Sequence, residues 1–127
     1  MKDIVSTPDA PRSIGPFSQA VKANGFVFVS GQVALDPSTQ KVIDGDVSAQ
    51  TERTLLNVKA ILEAAGSGLE KVVRSGVYLR NMGDFAAMNA VYARRFGEHR
   101  PARSTVAVAQ LPKDAAVEIE VIARLPR

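Results

Sequence analysis

The chain has 127 residues, 46% of them hydrophobic, which suits one packed domain and excludes a disordered tail. It has no cysteine, so disulfides and catalytic thiols are excluded. The net charge of +3 is too mild and too dispersed to argue for nucleic acid. No long apolar run or signal-like segment interrupts the chain, so the expectation is a cytosolic protein without a membrane span.

In chain order, a short edge strand is expected around Ile4 and Val5, followed by a loop rich in Pro and Gly up to Pro16. Ser18 to Ala23, Asn24-Gly25 and Phe26 to Ser30 form a hairpin signal, since Asn-Gly suits the positive φ angles of a type I′ turn. Phe26 and Phe28 alternate with Val27 and Val29, which predicts a strand buried on both faces. Gly31 then marks either a bulge or a place where the backbone approaches a ligand. After a polar loop at 36–46, Leu55, Val58, Ile61, Leu62 and Ala65 make the stripe of a helix from Val47 or Ser48 to Ala65, with Asp46 as N-cap and Gly66 just past the end. Val72 to Leu79 is a strand with Val73, Ser75, Val77 and Leu79 on one face. A second helix runs from near Asp84 to before Gly97, on Phe85, Met88, Val91, Tyr92 and Phe96.

Pro101 to Ala123 completes the chain as a terminal strand pair joined at a Leu111-Pro112-Lys113-Asp114 corner. The order ββαβαββ predicts an α+β domain, one mixed sheet with two helices packed on one face. Val27, Val29, Val106 and Val108 supply more apolar strand surface than two helices can cover, so the other face is expected to be an oligomer interface.

The inventory of reactive residues is short. One histidine and no cysteine leave no His/Cys metal site, and His99, expected at the surface, has no partner for a triad. The basic run Arg94, Arg95, His99, Arg100 and Arg103 reads as a solvated helix end. Arg103, Glu118 and Glu120 stand among β-branched residues, where an ionised group is costly unless paired; they sit on a solvated face, the common case, or they are the chemistry. The two glutamates lie about 6.6–6.8 Å apart along one side of a strand. Nothing resembling a sugar cleft supports a paired-carboxylate glycosidase. A guanidinium can grip a carboxylate with two parallel hydrogen bonds, and a carboxylate among apolar groups can exchange protons with water. Together they suit hydrolysis of a small electrophilic anion, such as an imino acid, with no metal or cofactor.

Five collinear segments, IGPFSQAV, VFVSGQVALDP, QTERTLLNVKAILEAAG, DFAAMNAVYARRF and PARSTVAVAQLPKDAAVEIEVIA, resemble the RidA (reactive intermediate/imine deaminase, YjgF-like) family over nearly the whole chain. The resemblance implies a chorismate-mutase-like fold and a homotrimer with sites between subunits. It implies hydrolysis of enamine/imine intermediates, 2-imino acids such as 2-iminobutanoate and 2-iminopropanoate, to 2-keto acids and ammonia. By position, Arg103 matches the arginine that binds the substrate carboxylate, and Glu118 the acid that activates water. Ser30, Gly31 and Asn89 match pocket residues. Phe17 stands where the family often has Tyr, keeping an apolar wall without its hydroxyl, and Thr105 stands where many relatives have Cys. The alternatives the resemblance carries are a non-catalytic trimer that senses a 2-keto acid, a translation-inhibitor-type endoribonuclease and a chaperone-like protein.

Overall fold

The computed structural model describes residues 3–127. Strands β1 (Ile4–Val5), β2 (Ala20–Ala23) and β3 (Phe26–Gln32) precede helix α1 (Val47–Ala64); β4 (Val72–Leu79), α2 (Phe85–Phe96), β5 (Ala102–Ala107) and β6 (Val117–Arg124) follow. The six strands form one sheet in the order β1-β2-β3-β6-β4-β5. Every pairing is antiparallel except β4 with β5, so the sheet is mixed, as expected. Asn24 and Gly25 both take positive φ, 51° and 83°, as the hairpin between β2 and β3 requires. Asp46 caps α1 by accepting from the backbone N–H of Ala49 at 3.0 Å, and Gly66, at φ 87°, ends it.

Both helical stripes enter one core. Leu55, Val58, Ile61 and Leu62 of α1 and Met88, Tyr92 and Phe96 of α2 pack with Val27, Val29, Val77, Leu79, Val117, Ile119 and Val121 of the sheet. The strand faces depart from expectation at three places. Val27 and Val29 face the helices and are buried, whereas Phe26 and Phe28 stand on the opposite, open face, with Phe28 44% exposed. The apolar surface left uncovered is therefore Phe26, Phe28 and Val106 rather than the two valines of β3, and Val108 lies beyond the end of β5. Val73 is exposed because the β4–β6 register shifts between Val72 and Arg74, turning it away from Ser75, Val77 and Leu79. The terminal pair is also not a pair. The chain crosses from β5 to β6 through Pro112–Asp114, and β4 lies between them, bonded to both.

Among the described residues no helix is long and apolar enough to cross a membrane, and no group of three or more His, Cys, Asp or Glu side chains is placed to hold a metal ion.

Candidate functional site

Strand alternation decides where Glu118 points. Val117, Ile119 and Val121 turn inward to the helices, so Glu118 and Glu120 turn to the open face of β6. Beside Glu118, the β3–β6 register slips between Val29 and Gln32, and Gly31 sits in that irregular stretch. A Cβ on Gly31 would lie 2.0 Å from Glu118 Oε2 and 2.9 Å from its Cδ. Gly31 thus belongs to a bulge and also admits a close group, namely the Glu118 carboxyl. Ser30 ties the bulge to the preceding segment, its Oγ donating to the Ser18 carbonyl at 2.7 Å.

Glu118 and Gly31 line a cavity of about 270 Å³ whose other walls include Ile14, Phe17, Leu35 and Lys113. Phe17 is 54% exposed, so it is a wall of this opening and not a core residue. Burial pushes the Glu118 carboxyl up from the ordinary value of 4.5, and the charge of Glu120 adds to the push. Glu120 itself accepts a 2.7 Å hydrogen bond from the Tyr78 hydroxyl. That bond is the main reason the Tyr78 phenol is raised.

Arg103 stands elsewhere. On β5 it pairs in register with Ser75, and Thr105 with Val77, both of which face the helices. Glu118 pairs with Tyr78, which is a position of the opposite face. Arg103 and Glu118 are therefore on opposite sides of the sheet with β4 between their strands, and one chain does not bring them together. The Arg103 guanidinium carbon lies 4.7 Å from the Tyr92 ring centre and 5.6 Å from that of Phe85. Stacking of this kind is worth about 0.5–2 kcal/mol and fixes the plane of the guanidinium. Arg103 has no hydrogen-bond or ion-pair partner among the described residues, which leaves its N–H groups free for a ligand. It lines a second opening with Asn89, Tyr92 and Arg100.

The expected site residues thus fall into two groups. Phe17, Gly31 and Glu118 share one opening, with Ser30 bracing it from behind; Asn89 and Arg103 share the other. Thr105 lies two residues beyond Arg103, its hydroxyl buried and without a partner. In the sequence Tyr92 and Phe85 stand only as parts of an apolar stripe, yet in the fold they orient Arg103. The Tyr92 hydroxyl meets Ser75 Oγ at 2.6 Å. It is raised chiefly by burial, while that bond and the two arginines pull it back. Its position beside the only arginine of β5 is a consequence of tertiary packing that helical spacing does not reveal. His99 is not a free surface residue either: its Nε2–H donates to the Val72 carbonyl at 2.6 Å. The basic run is likewise broken up, with Arg95 paired to Glu52 of α1 and Arg100 donating to the Gly97 carbonyl.

Comparison with known proteins adds to this geometry. A family model described as Endoribonuclease L-PSP matches residues 7–125. A solved structure from Thermotoga maritima, 50% identical, superposes with a TM-score of 0.96 over 100% of both chains. Escherichia coli TdcF, solved with bound serine, is 43% identical with a TM-score of 0.92, over 97% of this chain and 98% of that one. Reactive Intermediate Deaminase A of Arabidopsis thaliana is 46% identical, over 98% of this chain and 66% of the relative. Further relatives at 45–53% identity bear only the name RutC family protein. With a matched sheet, helices and near-full-length identity to these proteins, the chain belongs to the Endoribonuclease L-PSP family, which includes the RidA/YjgF and RutC proteins.

Proposed function

We propose that the protein is a cytoplasmic homotrimeric enamine/imine deaminase that hydrolyses 2-imino acids to 2-keto acids and ammonia, with each site assembled between two subunits. The observation that carries this reading is the division of the site. A free guanidinium held by two rings lies on one side of the sheet edge, and a desolvated carboxyl in an apolar opening lies on the other. Among the described residues the Arg103 opening contains no carboxylate, which Glu118 of a second copy would supply. The exposed Phe26, Phe28 and Val106 give the open face the apolar surface that a second copy would cover. The name of the Arabidopsis relative and the serine bound to TdcF support an amino-acid-like ligand.

In this reading Arg103 grips the α-carboxylate with two parallel N–H donors and so fixes the C=N carbon in front of Glu118 of the neighbouring subunit. Water attacks that carbon as Glu118 takes one of its protons, giving a carbinolamine. Glu118 returns the proton to the nitrogen, the C–N bond breaks, and the hydroxyl proton is released as the ketone forms. Iminium plus water thus becomes 2-keto acid plus ammonium, with no redox change. Phe17, Ser30, Gly31, Asn89 and Thr105 shape the cavity.

The test couples an amino-acid oxidase or a threonine dehydratase to the protein, with semicarbazide trapping unhydrolysed imine. Wild type is expected to deplete the trapped product. Arg103→Ala is expected to lose roughly two to three orders of magnitude in kcat/KM, as removal of one partner of a charged pair does. Depletion by that variant at wild-type rate would remove the clamp role. The second reading is a trimer that binds a 2-keto acid without turnover, favoured by Phe17, which puts no hydroxyl in the Glu118 opening. Thermal stabilisation by 2-ketobutyrate without imine hydrolysis would select it. RNA cleavage undiminished in Arg103→Ala would select an endoribonuclease instead.

A further inference from the structure

The opening at Glu118 is bounded largely by irregular backbone: the bulged end of β3 running into residues 33–35, and the corner that leads into β6. Irregular backbone holds a fixed position only if its polar groups find partners. Two of those partners come from α1. Asn57, fully buried, donates from Nδ2 to the carbonyls of Val33 at 3.2 Å and Leu35 at 2.9 Å. Its own Oδ1 accepts from Arg53 at 2.9 Å, so both ends of the amide are engaged. Gln50, also buried, accepts at Oε1 from the backbone N–H of Ala116 at 2.8 Å, two residues before Glu118. Val33 and Leu35 line one wall of the opening; Ala116 leads straight into the other.

Gln50 and Asn57 are seven residues apart, hence on nearly the same helical face and separated by about 10.5 Å along the axis. A helix does not stretch. We propose that Gln50 and Asn57 are positioning residues that hold the two walls of the Glu118 opening at a set separation and so fix the size of side chain the site accepts. The proposal rests on the reading of the Glu118 opening as the place where a 2-imino acid lies. The Phe17, Ile14 and Leu35 side chains give that opening its apolar character, and the two amides set its width.

The test uses Gln50→Met and Asn57→Leu, near-isosteric changes that remove the anchors without removing volume. Binding of a series of 2-keto acids, pyruvate, 2-ketobutyrate and 4-methyl-2-ketopentanoate, is followed by titration calorimetry. The kcat/KM values for the matching imino acids are followed in the trapping assay. A methylene in a shaped apolar pocket is worth roughly 10–200-fold discrimination, and each variant is expected to compress the ratio of shortest to longest ligand by about threefold or more. Equal loss for all ligands, with the ratio unchanged in both variants, would overturn the proposal and leave the amides only a part in stability. If Asn57→Leu does not fold, Gln50→Met decides alone. A wild type that binds the keto acids and hydrolyses no imine removes the deaminase reading while the binding ratio still judges the positioning role. A wild type that binds none of them overturns both.

Discussion

At Gly31 a single missing methyl group decides how near the backbone a carboxyl can come. The atoms that a Cβ would strike are Glu118 Oε2 at 2.0 Å and Cδ at 2.9 Å, the carboxyl end of a side chain on the open face that can swing away. Gly31→Ala is therefore expected to cost under about 1 kcal/mol of stability, less than the 1–3 typical of a crowded core. The displaced carboxyl should nevertheless lower kcat on imino acids by about 10²-fold, as misplacing a reacting group by an ångström does. Urea unfolding and the trapping assay on one preparation check both halves; wild-type kcat with an undisturbed midpoint would show that the carboxyl position is not critical. The pH dependence follows from the same residue. Burial first, and the Glu120 charge second, favour the neutral form of Glu118 in the folded chain, so its folded value lies above the ordinary 4.5. The carboxylate that takes the water proton then forms only as pH rises through that higher value. The acidic limb of kcat/KM should lie above the ordinary glutamate value, and Glu120→Gln, by removing the second cause, should move it down without abolishing it. For stability the sign is unfavourable. The contribution of Glu118 is neutral below 4.5 and becomes destabilising as pH rises through the folded value, so Glu118→Gln should raise Tm more at neutral pH than in mild acid. A limb that does not respond to Glu120→Gln would deny the coupling.

At the scale of elements, periodicity located nearly every strand and helix but not which strands are neighbours. The stripe of α1 and the cap at Asp46 are local features. A capping side chain worth about 1 kcal/mol and a three-four apolar spacing act within a few residues and are visible in them. The pairing of β5 is different. Val106 and Thr105 alternate equally well beside β6 or beside β4, and only the crossover through α2 selects the parallel partner. That choice places Arg103 on the helix-covered face and Glu118 on the other, the property on which the proposed site depends. The orientation of Phe26 and Phe28 was hidden for a related reason. A run of four apolar residues, Phe26 to Val29, carries no signal of which set faces the helices, and a valine or a phenylalanine satisfies either face. The bulge that turned Val73 outward is a register slip of one residue, too small to disturb the sequence pattern around it. What the residues alone did carry was the chemical inventory, since an arginine and a glutamate in apolar strands stand out wherever the topology puts them.

For the whole molecule, a sheet that separates Arg103 from Glu118 would make the proposed activity a property of a pair of chains. If each proposed site takes Arg103 from one subunit and Glu118 from the next, two inactive variants can repair one another. Arg103→Ala chains retain Glu118, and Glu118→Gln chains retain Arg103. In a trimer assembled at random from equal amounts of the two, a site is complete when its arginine comes from the second kind of chain and its glutamate from the first. That is half times half, or about a quarter of all sites in a closed ring of identical interfaces. Co-refolding the two variants should therefore restore roughly one quarter of wild-type imine hydrolysis, whereas mixing them without exchange restores none. A site contained within one chain predicts no recovery under either protocol, since no chain in the mixture holds both groups. Phe28→Arg supplies the control: charge placed on the open face should block assembly as seen by sedimentation, leave the fold intact by circular dichroism, and abolish the recovery. Imine hydrolysis by a demonstrably monomeric Phe28→Arg chain that keeps both Arg103 and Glu118 would place the two groups in one chain and contradict the sheet geometry described above.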